Sequence, residues 1–400
     1  MLYLDAAATS PVRREALEAM WPYLTGDFGN PSSHHTVGES AARALATARA
    51  RVADWLGGRP GEVVFTAGGT EANNLAIKGI ALGDPRGRHL VTSRIEHEAV
   101  LESVDYLVRL HGFEVSYVSL DPAGEVTPAA LQAVLRPDTT LVTLAHANNE
   151  IGTVQDLAAL TAVSAALGIP FHSDAVQTAG WLPTRVHELG VQALSLSGHK
   201  VGAPKGIGAL FVAGRLPLEP LIHGGGQERG RRSGTENVAG AVALGVAVGL
   251  AEASREVRAA AATVARDAFV AEVLRRVPLA RLTGAGVGPA RGASPVPARS
   301  PARLPANASF VFPGTSGEAI LLELERRGIV SSSGSACAAG SDEPSHVLTA
   351  LGYPPDVAQT AVRFTWQADV TAEQLGPVAV ALQESVAALG TLREGPSGGA

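Results

Sequence analysis

The feature of this chain that most restricts its fold is a repeated alternation of short β-branched or aliphatic runs with Ala-rich stretches of helical length. Apolar runs without a polar alternate face need cover on both sides, which is the pattern of a mostly parallel sheet clothed by helices. Residues 62–66, 88–93, 113–118, 140–145, 169–173, 192–196 and 207–212 read as strands, and 70–81, 97–111, 128–136 and 155–167 as helices. A length of 400 residues exceeds what one hydrophobic core usually serves. The expected fold class is therefore α/β: a large domain with a mostly parallel seven-stranded sheet covered by helices, plus a smaller α+β domain. Such sheets bind ligands beyond the carboxyl ends of their strands.

The boundaries expected are 14–255 for the large domain, and 1–13 with 256–390 for the small one. A long helical region over 239–277 connects them. Residues 284–305, rich in Gly, Pro, Ala and Arg, read as a flexible surface insertion, and 391–400 as a disordered tail. The first residues lack the basic and long apolar regions of a secretory signal, and the apolar stretch 239–251 is too short and Gly-broken to span a bilayer. A cytoplasmic protein without membrane attachment is expected. The formal net charge of −6 and the absence of a basic stripe speak against direct nucleic-acid binding.

Four segments carry chemistry. Thr66-Ala67-Gly68-Gly69-Thr70-Glu71-Ala72-Asn73-Asn74 follows a strand and opens a helix, where free amides and the helix dipole favour an anion such as a phosphate. It lacks both Gly-Lys-Ser/Thr and Gly-x-Gly-x-x-Gly, so nucleotide loops of those kinds are excluded. The plainer alternative is a helix cap, which Thr70 also supplies. Next, Phe171-His172-Ser173-Asp174 ends a strand in an acid that can pair with a cationic ring nitrogen; the alternative is an N-cap for a following helix.

Then Ser195-Leu196-Ser197-Gly198-His199-Lys200 places an amine beside glycines at a strand end, suited to imine chemistry, with Ser197 and His199 as donors to a phosphate. The chain has only two other lysines. Lys205 is the rival, and Lys78 reads as a solvated mid-helix residue. Anion loop, acid and lysine come in the order required by a pyridoxal-phosphate site. Finally, Ser331-Ser332-Ser333-Gly334-Ser335-Ala336-Cys337-Ala338 holds the only cysteine. A lone Cys is usually a small buried hydrophobe, but small polar neighbours offer no core, so an exposed thiol on a mobile loop is expected.

With these motifs stand Tyr3-Leu4-Asp5-Ala6-Ala7-Ala8-Thr9, Phe28-Gly29-Asn30-Pro31-Ser32-Ser33, Glu96-His97-Glu98-Ala99-Val100, Asn148-Asn149-Glu150-Ile151-Gly152 and Arg232-Ser233-Gly234-Thr235. Together they resemble the cysteine desulfurases (NifS/IscS-like) of the aminotransferase class V family, fold-type I pyridoxal-phosphate enzymes, over nearly the whole chain. The resemblance implies pyridoxal 5'-phosphate as cofactor and L-cysteine as substrate. Lys200 resembles the lysine that carries the cofactor, Asp174 the partner of the ring nitrogen, Gln177 the donor to the ring oxygen, and His97 the imidazole over the ring.

Gly69, Thr70, Ser197 and His199 resemble the phosphate cradle, with Thr235 contributed by the second subunit of a homodimer. Asn148 borders the ring, while Asn30 and Arg363 resemble the clamp on the substrate carboxylate. Lys200, His97 and Cys337 are the implied catalytic residues, Cys337 carrying sulfur away as a persulfide. No resident metal is implied, and a passing iron–sulfur ligation by Cys337 stays open. The Ser-Ser-Gly-Ser-Ala-Cys loop resembles the group serving iron–sulfur assembly and tRNA thiolation, so sulfur-acceptor proteins are the implied partners.

Three departures from the family pattern are visible. They are the 284–305 insertion, a short tail, and Phe364-Thr365-Trp366-Gln367, which puts a bulky Trp366 near the clamp. The rival readings are a related lyase or aminotransferase acting on selenocysteine or another amino acid, and a non-catalytic docking protein. Cys337 argues against the first, and joint retention of Lys200, Asp174, Gln177 and Cys337 against the second.

Overall fold

The computed structural model describes residues 1–287, 302–334 and 343–393. Its central sheet is built from β2 (Val63–Thr66), β3 (His89–Thr92), β4 (Glu114–Tyr117), β5 (Thr139–Thr143), β6 (Phe171–Asp174), β7 (Ala193–Ser197) and β8 (Gly208–Val212), with β1 (Leu2–Tyr3) lying elsewhere. The order across the sheet is β2-β8-β7-β6-β5-β3-β4. All pairs are parallel except those of β8, which runs against both β2 and β7. Each strand falls within two residues of its expected position.

The apolar runs are explained by burial on both faces. Leu90, Leu141, Ala193 and Leu210 join a core with helices Gly69–Gly83 and Glu98–His111. Their neighbours Val91, Val142, Leu194 and Phe211 join another with helices Thr36–Leu56 and Val238–Ala253. A buried polar ladder crosses the sheet below its carboxyl edge: His172 bonds Thr143 Oγ1 through Nδ1 and Ser195 Oγ through Nε2, both at 2.8 Å.

A separate core gathers Leu4, Phe269, Phe310, Phe364, Trp366 and Leu382. It lies between helices Arg255–Arg276 and Ala372–Arg393 and the antiparallel sheet β12-β10-β9, made of β9 (Arg281–Leu282), β10 (Asn307–Val311) and β12 (Val362–Thr365). The N-terminal β1 pairs in parallel with β11 (Ile329–Val330).

Several expectations are corrected here. The helical region over 239–277 is two helices meeting at 66°, Val238–Ala253 and Arg255–Arg276. The first is apolar nearly all round and serves the large core, while the second is amphipathic and serves the other; one straight rod could not face both. Among the described residues no single helix is long and apolar enough to cross a membrane.

Of the expected insertion, 288–301 lie outside the described residues, but its flanks are not surface. Ala285, Arg303 and Leu304 are buried. The Arg303 guanidinium donates to the Thr283 carbonyl, to the Ala285 carbonyl at 2.7 Å and to Asn307 Oδ1 at 3.1 Å, and burial lowers its pKa to about 9. Helix Ala372–Arg393 runs past the start of the expected tail, of which 394–400 lie outside the described residues. Trp366 is fully buried and packs edge-on against Phe269 at 6.2 Å. Its bulk serves the second core rather than the clamp.

The edge strand β2 leads directly into the segment expected to bind an anion, so what holds it matters. Arg49 and Glu228 form a two-pronged buried ion pair, both bonds 2.6 Å. The same groups close the strand edge: Arg49 and Arg229 donate to Val63 O, and Phe65 N donates to Glu228 Oε2. Unpaired edge groups are thereby covered. Removing one partner strands a buried charge, so Glu228→Ala is expected to cost about 3–5 kcal/mol by urea denaturation, and Arg49→Met with Glu228→Leu to recover most of it. A loss under about 1 kcal/mol would remove this pair from the account of β2.

Buried histidines set an acid limit. Burial lowers His146 to about 4 and His172 to about 3. In the unfolded chain such rings protonate near ~6.5, so unfolding takes up protons and stability falls as pH drops from about 6.5 toward 4. His172→Gln, which keeps two hydrogen-bonding ends without a titrating ring, should flatten the dependence of the urea midpoint on pH in that window. An unaltered slope counts against the assignment.

Candidate active site

Three strand ends and the N-terminal segment converge on one cavity of about 860 Å³. After β2, helix Gly69–Gly83 starts at Gly68 without a side-chain cap, so the alternative of a cap by Thr70 is not realised and the first-turn amides face the cavity margin uncapped by a side chain. Glycine is required here by close approach. A Cβ on Gly69 would lie 2.8 Å from Val176 Cγ2, and one on Gly208 would lie 2.7 Å from Gly68 backbone. Gly69, Thr70, Ser197 and His199, the expected phosphate donors, all line this cavity.

At the end of β6, Asp174 is buried and starts no helix. Its Oδ1 accepts from Val176 N at 2.9 Å and its Oδ2 from Asn73 Nδ2 at 2.6 Å, so both oxygens are held in place. The buried Glu96 carboxyl, bonded by Ser93 Oγ and Ala145 N, is pushed up to about 8, mainly by burial and further by the Asp174 charge. Burial and the neighbouring Asp174 charge both favour its neutral form. Gln177 Nε2 donates to Ala7 O at 3.1 Å.

After β7 a short helical turn, Gly198–Lys200, presents the lysine. Lys200 Nζ donates to Ala7 O and, at 2.7 Å, to Ala8 O. His199 Nδ1 meets Thr9 Oγ1 at 3.0 Å, and burial, with Lys200 and Lys205 nearby, lowers its pKa to about 4. The neutral ring keeps one N–H to donate. Lys205 also lines the cavity, whereas Lys78 is half-buried over the Tyr106 ring at 4.3 Å rather than solvated.

His97 caps helix Glu98–His111, its Nδ1 accepting from Ala99 N at 3.0 Å. That bond places the proton of the neutral ring on Nε2. Arg363, on β12, is fully buried yet borders the cavity. Its Nη2 bonds Asp5 Oδ1 at 2.6 Å, and its Nη1 bonds Asn149 O at 3.2 Å and Gly334 O at 3.0 Å.

Lys200, Asp174, Gln177, His97 and Arg363 thus meet at one cavity with Gly69, Thr70, Ser197 and His199. Other expected residues stand apart. Asn148 does not line the cavity: its Nδ2 donates to Ile95 O and its Oδ1 accepts from Glu150 N and Ile151 N, so it shapes the loop that presents Asn149. Asn30 and Thr235 are exposed and do not line the cavity. Cys337 lies outside the described residues. The described ends of its segment are held at the cavity: Gly334 by Arg363, and Ser345 by a 2.5 Å bond to Glu150 Oε2.

Sequence reasoning did not single out Asp5, Asn73, Glu96 or Glu150 as site residues. Asn73 was the most legible of these, one helical turn beyond Gly69 and on the same face.

Residues 2–376 match the family model of aminotransferase class V. The cysteine desulfurase IscS of Dictyoglomus turgidum is 43% identical over 392 residues, covering 98% of this chain and 96% of that protein. A solved NifS-like protein superposes with a TM-score of 0.86 at 33% identity, over 97% of this chain and 100% of that one. SspA, solved in complex with cysteine, matches with a TM-score of 0.77 at 37% identity, over 92% and 99%. On the match of the family model over nearly the whole chain and the identity to these relatives, the chain belongs to the aminotransferase class V family.

Proposed function

We infer that the chain is a pyridoxal-phosphate-dependent cysteine desulfurase. It converts L-cysteine to L-alanine and retains the sulfur as a persulfide on Cys337. The observation that carries this reading is the meeting of Lys200, Asp174 and the uncapped terminus of helix Gly69–Gly83 at one cavity. These groups fit the cofactor by chemistry: an amine for an aldehyde, a carboxylate for a ring N–H, and amides with Ser197 and His199 for a phosphate. Bound there, pyridoxal phosphate supplies an aldehyde for amines and an electron-withdrawing ring that delocalises charge developing on the substrate α-carbon.

The chain's own residues do the rest. Asp174, fixed by Asn73 and Val176, would hold the ring nitrogen of the cofactor in its protonated form. Lys200 Nζ would hold the cofactor's aldehyde and is the amine placed to take up the substrate α-proton. Arg363 grips the substrate carboxylate, with Asn30 as the second clamp residue. His97 Nε2 serves the proton traffic of the thiol. Cys337 attacks the substrate sulfur as a thiolate; the carbon–sulfur bond breaks, a sulfur–sulfur bond forms, and alanine leaves.

A homodimer completes the site with Thr235 from the second subunit. Its support is the exposed apolar run Leu17, Trp21, Leu24 and Phe28, together with an exposed Thr235 that does not line the cavity of its own chain. Persulfide sulfur would pass, in the cytoplasm, to an iron–sulfur scaffold or tRNA-thiolating protein, as the Ser-Ser-Gly-Ser-Ala-Cys loop suggests.

The direct test is incubation of the cofactor-loaded protein with L-cysteine and a thiol reductant, measuring alanine and sulfide together in equal amounts. A colourless protein that makes neither sinks the enzyme reading. Cys337→Ala should abolish sulfide release yet keep the yellow cofactor; loss of both would break the division of labour between Lys200 and Cys337. Asp174→Ala should lower kcat by about 10²–10³-fold and weaken cofactor retention on gel filtration, whereas wild-type turnover in that variant would remove Asp174 from the mechanism.

A further inference from the structure

The opening motif Tyr3-Leu4-Asp5-Ala6-Ala7-Ala8-Thr9 has so far been given no task, yet it touches the cavity at several points. Its backbone is bonded to β12, with Ala6 N donating to Thr365 O, Thr365 N to Leu4 O at 2.8 Å and Ala7 N to Thr365 Oγ1. This pairing brings Asp5, 358 residues away in sequence, against Arg363. The pair is partly enclosed, with side-chain exposures of 18% for Asp5 and 1% for Arg363.

A guanidinium has five N–H groups in a rigid planar fork. Here both Nη1 hydrogens are taken by the carbonyls of Asn149 and Gly334, and one Nη2 hydrogen by Asp5. Nε is buried and has no hydrogen-bond partner among the described residues. The donors left over are Nε–H and one Nη2–H, and the Nε–Nη2 edge of a guanidinium is able to hold a carboxylate by two parallel bonds.

We propose that Asp5 is the positioning residue of the carboxylate clamp: through Nη2 it fixes which edge of Arg363 is left for the substrate and sets how tightly that edge grips. This rests on the desulfurase reading for the identity of the substrate. Two effects of Asp5 oppose each other. Its oxygen orients the guanidinium and so favours binding, while its negative charge beside the clamp repels an incoming carboxylate. The side chain therefore buys geometric precision at some loss of affinity.

The opposition gives a signature that a merely structural residue lacks. In the cofactor-loaded protein, Asp5→Asn keeps the oxygen acceptor and removes the charge, so binding of the product L-alanine, followed by calorimetry, should tighten about 3-fold. Asp5→Ala removes both, and should loosen L-alanine and raise KM for L-cysteine about 10- to 100-fold, with kcat changed less than KM. Binding of cysteamine, which has no carboxylate, should be unaffected by either change.

Equal effects on L-alanine and cysteamine, or shifts of the same sign in the two variants, would overturn the proposal. Should Asp5→Ala not fold, Asp5→Asn decides alone: unchanged or weaker L-alanine binding overturns it. Wild-type protein that makes no alanine from L-cysteine would instead fail the desulfurase reading, a result separable from all of these.

Discussion

A carboxylate taken out of water must find donors for both its oxygens, and much of the large domain is arranged around meeting that demand at Asp174. One oxygen is met by the backbone of Val176, immediately after the strand; the other by Asn73, on a helix that packs across the sheet. The second bond ties the helix whose amino terminus opens on the cavity to the strand whose end carries the acid. Cofactor phosphate and cofactor ring would thus be located by one rigid body. Its rigidity comes from the apolar packing of Leu75, Ala76 and Ile80 against Leu90, Leu141 and Leu210.

The reversed strand β8 completes the arrangement. Because β2 and β7 are parallel and flank it, their carboxyl ends emerge on the same side, one feeding the anion loop and the other Lys200. β8 then starts from that edge and returns, so the lysine lies in a short connection clamped between two paired strands rather than at the head of a long crossover. Close backbone approach at Gly208 and Gly68 lets the strand ends crowd together. Side chains at either place would push the start of helix Gly69–Gly83 away from the end of β7 and Lys200.

Most of this was legible because it is local. A strand, then glycines, then a helix is a pattern in adjacent residues, and so is an acid or a lysine at the last position of an apolar run; these yielded Gly69, Asp174 and Lys200. What escaped depends on contacts between distant segments. Asp5 meets its partner only once β12 has formed, and Arg303 sits in a Gly- and Pro-rich run whose composition reads as surface although its guanidinium is fully enclosed. Asn148 and Asn149 are adjacent and chemically alike, and only the loop's hydrogen bonds decide that one supports while the other lines. Trp366 looked like a site residue because it follows Arg363 by three, but along β12 that spacing turns it to the opposite side, toward Phe269.

The N-terminal segment has a mechanical consequence. It is stitched to β12 by backbone bonds at Leu4 and Ala6, and the next residues, Ala7 and Ala8, lend their carbonyls to Lys200 while Thr9 meets His199. It spans the seam between the two cores as a crossbar. Any swing of the second core that carries β12 with it must drag this bar across the large domain, so Arg363 and Lys200 move as one linked gesture.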